Sequence, residues 1–366
     1  MSSRGKALLL GLAAASFALY ACQVLVGVTD DEGTPRPPPG VTGDPCVHYE
    51  PPRPPQGAPD APDLPPLWFA MTNLEGLPRP DGRAVGFDLD GRCTGFPSST
   101  AFDGGPPCAR LVIDGLGGVD NAAASLFGAL PFGYGKSSFD AFQTTARTGG
   151  RTLLVYLAKY SGQPNDPSVQ ARIVASEALQ SNVCSGEKTV DGGTRADGCD
   201  TWGYPPAAFG ADGGGPAPVL HEGYVVDGRL VVTVRANEPL DVSLNGLFSL
   251  PLTGAVLVAR LGEKAGPSGA AVRTLSGTLA GRISASSFLS AVARNPALCV
   301  PGPLEAFKNV VCDYRDMPSS LTDDPAKACT DISVGLSFQS VQAKLGTPIP
   351  PAPLAPACDA GTPTCD

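Results

Sequence analysis

Three β-type runs follow one another almost without a break: DGRLVVTVRA (227–236), LDVSLNGLFSL (240–250) and TGAVLVARLG (253–262). Each alternates apolar with polar residues or strings β-branched ones together, and Gly, Asn, Asp or Pro bounds each run. RTLLVYLAKYS (151–161) and SVQARIVAS (168–176) extend the series, as do the weaker VRTLSGTLAG (272–281) and TDISVGLSFQSV (330–341). The pattern predicts a mainly β domain, a β-sandwich or jelly roll, and argues against alternating βαβ units. Three short helices are expected beside it. One is DNAAASLFGAL (120–130), capped by Asp120 or Asn121; another is SASSFLSAVARN (284–295), capped by Ser284 or Ser286; the third is PLEAFKNVVCDY (303–314).

Proline sets the limits of that domain. Residues 34–66 hold 13 prolines in 33 positions. Such a stretch cannot supply helix or sheet hydrogen bonds and favours an extended polyproline conformation. The reading is a disordered linker over 22–66, a folded part over 67–346, and an exposed Pro-rich tail over 347–366. Residues 185–216, rich in Gly and Asp, read as a long loop.

The N-terminus starts MSSRGK, with no acid before residue 30, and continues into the uncharged apolar run ALLLGLAAASFALYA (7–21). Fifteen residues suit a signal-peptide core and fall short of the ~20 a spanning helix needs. The run ends in Leu19-Tyr20-Ala21-Cys22, which resembles the lipobox of bacterial lipoproteins. The resemblance implies cleavage after residue 21, acylation of Cys22, and a protein held to a membrane through its N-terminal lipid. Gln23 stands where an aspartate would retain such a protein at the inner membrane, so the resemblance implies sorting to the Gram-negative outer membrane.

Without Cys22, ten of the 11 cysteines remain, an even number suited to disulfides in an oxidising compartment. Spacing suggests Cys93 with Cys108, Cys184 with Cys199, and Cys358 with Cys365; it leaves Cys46, Cys299, Cys312 and Cys329 unassigned. No Cys-x-x-Cys occurs and only two histidines are present, which disfavours structural zinc. The net charge of −9 becomes −11 once Arg4 and Lys6 leave with the signal. A surface of that sign repels phosphate backbones, so nucleic acid is excluded as a partner.

Catalytic signatures are few. FGALPFGYGKSS carries a Gly-Lys-Ser, but Leu130 stands where a phosphate loop needs its first glycine. No Gly-x-Ser-x-Gly occurs. Ser185-Gly-Glu-Lys188 has the spacing of penicillin-binding enzymes without its companion motifs. His221 reads as a strand-edge or satisfied buried histidine, and Trp202 and Tyr204 as packing residues that could also face a sugar ring. The chemistry concentrates in GFDLDGRC and DGLGGVDN. Asp88, Asp90, Asp114, Asp120 and Asn121 supply oxygens there on a glycine-rich chain, which is what a calcium ion requires. The Asp-x-Asp-Gly piece is similar to calcium loops of the thrombospondin and EF-hand kind. Helix capping and tight turns account for the same residues without metal. The expected function is a lipid-anchored binding, adhesion or structural module, with carbohydrate or a surface protein as ligand and Ca2+ as the one cofactor to consider. An extracellular carboxylate-dependent hydrolase, such as a glycoside hydrolase, is the alternative.

Overall fold

The computed structural model describes residues 48–365 apart from 58–60, 79–83, 95–107, 110–111, 185–191, 207–219, 235–238, 245–247, 267–268, 300–301, 322–323, 325, 352–355, 357 and 359–363. The expected signal segment, Cys22 and the expected linker up to residue 47 lie outside the described residues, as does Ser185-Gly-Glu-Lys188.

The sheet closes on itself. Eight strands, β1 (Leu67–Glu75), β2 (Leu153–Ala158), β3 (Asp166–Ala175), β6 (His221–Val226), β7 (Arg229–Thr233), β9 (Phe248–Ala265), β10 (Ala271–Ser284) and β11 (Asp331–Pro348), pair antiparallel in chain order. β11 then pairs with β1, Trp68 opposite Ala343 and Glu75 opposite Ser337. The result is an up-and-down barrel in place of the expected sandwich. Closure is possible because β9 and β11 run 18 residues each, enough to tilt and hold two neighbours, and because β1 supplies the eighth strand. The run expected as one strand at 240–250 is two: β8 (Leu240–Leu244) folds back on the start of β9.

Alternation along the strands divides the apolar residues between two faces. Phe69, Val155, Ala171, Leu257, Leu279 and Phe338 belong to one buried cluster that fills the barrel. Helices complete this core at one end. The β1–β2 connection carries α1 (Ala122–Ala129) and α2 (Tyr134–Arg147), and the β10–β11 connection carries α3 (Ala285–Val292) and α4 (Pro303–Asp313). Phe127 of α1 meets Phe139 of α2 edge-on at 5.2 Å and lies 6.3 Å from Phe288 of α3. At the other end the Leu64 amide donates to the Tyr160 carbonyl, and Leu64 packs on the same core. The barrel is therefore a packed scaffold.

Its outer faces are covered too. β5 (Thr201–Tyr204) joins β11 in parallel and pairs with β4 (Leu179–Ser181). Trp202 and Tyr204 pack there on Ala70, Leu154 and Val174, the packing role expected of them. On another face Phe87, stacked on Tyr49 at 5.7 Å, covers Val231, Val258 and Ala280. Part of the expected linker thus lies on the barrel. Residues 48–55 and 62–66 carry neither helix nor strand, yet the Tyr224 hydroxyl donates to the Pro52 carbonyl and the Tyr49 amide to Gly117.

Four disulfides join described cysteines and suggest an oxidising, exported environment. Cys184–Cys199 is as expected. Two other expected pairs are corrected. Cys108 bonds to Cys329, not to Cys93, which is disulfide-bonded elsewhere. Cys358 and Cys365 bond to Cys299 and Cys312, not to each other. Local loops close easily, but Cys358 and Cys365 each meet the helical layer: the Cys358 amide donates to the Ala293 carbonyl just after α3, and Cys365 bonds to Cys312 in α4. The tail is stapled to the α3–α4 cap.

Candidate metal centre

The segment after Phe87 turns sharply at Asp88-Leu89-Asp90-Gly91. Gly91 sits at φ +74°, a left-handed conformation that suits glycine. The turn wraps its amides onto its own carboxylates: Gly91 N–H donates to Asp88 Oδ1 at 2.7 Å and Arg92 N–H to Asp90 Oδ1 at 2.8 Å. The second acidic segment is a small closed loop in which the Gly115 amide donates to the Val119 carbonyl, with Gly117 and Gly118 both at positive φ.

Backbone hydrogen bonds then join the two segments. The Asp120 amide donates to the Phe87 carbonyl, and Leu89 N–H returns a bond to Asp120 Oδ2 at 2.6 Å. Thr94 N–H donates to Asp114 Oδ2 at 2.5 Å, while the Asp114 amide donates to the Thr94 carbonyl. The outcome is convergence of Asp88, Asp90 and Asp120, each with an oxygen within 4.8 Å of the others'. Two oxygens on opposite sides of one calcium ion lie about 4.8 Å apart. The spacing fits one shared cation.

Asp316 joins this neighbourhood from a distant part of the chain. Its carboxylate accepts from the amide and hydroxyl of Ser333 on β11, at 2.8 and 2.5 Å, and Cys108 Sγ lies 3.3 Å from its carbonyl oxygen. No motif around it announced this role. The signal was the disulfide Cys108–Cys329, which sequence could not assign.

Electrostatics follow from crowding. Burial, then the charge of Asp88, pushes Asp90 up to about 6. Burial and the carboxylates of Asp90, Asp316 and Asp88 push Asp114 up to about 7. Asp120 is raised well above the ordinary carboxylate value by burial and then by Asp90, Asp114 and Asp316. Burial, with the charge of Asp90, outweighs the Ser333 bonds and raises Asp316 to about 7. His48 Nδ1 meets Asp88 Oδ2 at 2.5 Å, and Arg92 places a positive charge beside Asp90. The Thr94 hydroxyl is buried without a hydrogen-bond partner among the described residues.

Asn121 has other work. Its Oδ1 accepts from the Ala124 and Gly335 amides, and its Nδ2 donates to the Val85 and Gly335 carbonyls. It caps α1 and fastens residue 85 to β11. A second group with ligand-like spacing, Cys184, Asp197 and Cys199, offers no thiolate because its two sulfurs are bonded to each other. No protein-family model, curated protein or solved structure compared with this chain matches it.

Proposed function

We propose that this chain is an exported, lipid-anchored binding module whose filled barrel is braced by a calcium clasp. The observation that carries the clasp is the convergence of Asp88, Asp90 and Asp120 on one point. At neutral pH the crowded carboxylates need either protons or a cation, and an exported protein meets calcium. Calcium suits the mixture of carboxylate and carbonyl oxygens that a bent, glycine-rich chain can offer. Anchoring rests on the lipobox-like Leu19-Tyr20-Ala21-Cys22, and placement at the outer membrane on Gln23.

The competing reading is a carboxylate-dependent hydrolase, since retaining glycosidases hold two carboxyl groups about 5–5.5 Å apart. Backbone amides grip Asp88, Asp90, Asp114 and Asp120, and that favours a fixed structural site over groups that must face a substrate.

The test is thermal unfolding of the full chain in detergent, with calcium and with chelator. At calcium 100-fold above Kd, mass action adds about 2.7 kcal/mol. That corresponds to a rise of roughly 5–10 °C for a domain of this size. Asp88→Asn/Asp120→Asn should abolish the rise. No shift in the wild type at millimolar calcium would eliminate the clasp. Separately, Cys22→Ser should move the chain from the membrane to the soluble fraction; unchanged fractionation, with no lipid in the intact mass, would reject the anchor.

A further inference from the structure

A cleft of about 640 Å³ opens beside the helical cap, lined by none of the acidic-turn residues. Its floor is the end of β10 and the start of β11, which carry Arg282 and Asp331; Ser284 and Ser287 at the N-terminus of α3 form one wall. Pro239 and Pro251 line another side, and Leu321, 48% exposed, stands at the edge.

The two charged groups are held in place and incompletely used. Arg282 Nη1 donates to the carbonyls of Pro318 and Ser319, at 3.0 and 3.5 Å, which fixes the guanidinium plane. Its Nε and Nη2 have no hydrogen-bond partner among the described residues, leaving one edge of the fork available. Asp331 is 4% exposed; its Oδ1 accepts from the Thr330 hydroxyl at 3.0 Å, and its Oδ2 has no partner among the described residues. The Arg282 charge already favours the ionised Asp331, and the carboxylate oxygen left without a hydrogen bond lines the cleft, where it can accept from a ligand donor.

We propose that this cleft binds a neutral saccharide. The reasoning is one of matching. Arg282 asks for acceptors and Asp331 for a donor, close together, and hydroxyl groups on adjacent ring carbons supply both. The opposite charges of Arg282 and Asp331 cancel, so a phosphate would meet the carboxylate and an ammonium group the guanidinium. Ser284, Ser287 and Thr253 line the same space; Ser284 Oγ is held by the helix cap and by Ser287, and Thr253 donates to the Arg282 carbonyl, so the remaining capacity of Ser284 and Thr253 toward a ligand is as acceptors. Pro239, Pro251 and Leu321 give an apolar side for the C–H face of a ring. The volume falls inside the ~300–1,000 Å³ range of small-ligand sites. A net charge of −9 discourages anionic glycans further.

This inference deepens the binding-module reading but uses none of the metal-centre residues, so the two can fail separately. The full chain, in detergent, is screened on an array of neutral and anionic glycans, and the strongest hit is titrated by calorimetry. The expected result is a neutral glycan whose binding falls at least ~tenfold in Arg282→Gln. Ser287→Tyr, which fills the cleft, should abolish it while the melting temperature and circular dichroism stay unchanged. Asp88→Asn/Asp120→Asn should bind the glycan like the wild type when calcium is absent from both. Binding to no glycan, binding only to anionic ones, or a titration indifferent to both cleft variants would overturn the proposal.

Discussion

Removing the Cys108–Cys329 bridge should cost more than removing any local staple, and should also weaken the calcium response. The bridge closes a loop with a sequence separation of 221, against 15 for Cys184–Cys199. In the chain-entropy model a loop of the first size contributes about 5 kcal/mol and one of the second about 3 kcal/mol. The matched pair Cys108→Ala/Cys329→Ala and Cys184→Ala/Cys199→Ala should therefore differ by about 2 kcal/mol, or roughly 4–8 °C in Tm.

A second consequence follows from position. Cys329 precedes Asp331, whose backbone exchanges hydrogen bonds with Met317 beside Asp316, and Cys108 leads into the loop bearing Asp114 and Asp120. Cutting the bridge lets Asp316 and Asp114 separate, so the rise in Tm with calcium should shrink in that variant and persist in the Cys184/Cys199 one. Denaturant unfolding under non-reducing conditions, with calcium and with chelator, measures both effects. Equal losses in the two variants, together with an undiminished calcium response, would refute the reasoning.

Two further outcomes can be checked on the same samples. In chelator, stability should fall as pH rises from about 4 to about 7, because Asp90, Asp114 and Asp316 bind protons more tightly folded than unfolded. The loss is absent below the ordinary carboxylate value and complete above the raised ones; calcium should flatten the profile between pH 5 and 8, and a stability that rises over that window in chelator would contradict the account. Gly335→Ala should destabilise by about 1–3 kcal/mol, since a Cβ there would overlap the Val85 carbonyl oxygen and crowd Asn121. An unchanged denaturation midpoint would show that residue 85 does not lie against β11 as described.

What could be read from the sequence divides along physical lines. β2, β3, β7 and much of β9 show plain alternation or β-branched runs, because each has one face in the barrel core. The mainly β class and three helices followed from such patterns, including the Asn121 and Ser284 caps that the structure contains. β1 was missed: Thr72 and Asn73 interrupt LWFAMTNLE, and a register irregularity between Met71 and Asn73 breaks its period. Without that strand nothing indicated that β11 has a partner on its far side, so an open sandwich was the natural expectation. α2 opens on YGKSS, which stood out only as an incomplete phosphate-loop motif, although Gly135 is there because a Cβ would overlap the Phe127 carbonyl.

The site divides in the same way. Asp88, Asp90 and Asp120 announce themselves because the glycines that let a chain bend round an ion lie beside them in sequence. Asp316 is invisible for the opposite reason. Its place depends on a hydrogen bond from Ser333 on β11 and on the Cys108–Cys329 bridge, whose cysteines are 221 residues apart. Local chemistry can be read from neighbours, but a carboxylate that reaches a cluster through a barrel strand is positioned by the closed sheet. Arg282 and Asp331 belong to that second kind as well. They face one cleft only because β10 and β11 are paired in the register that puts Ser284 opposite Asp331.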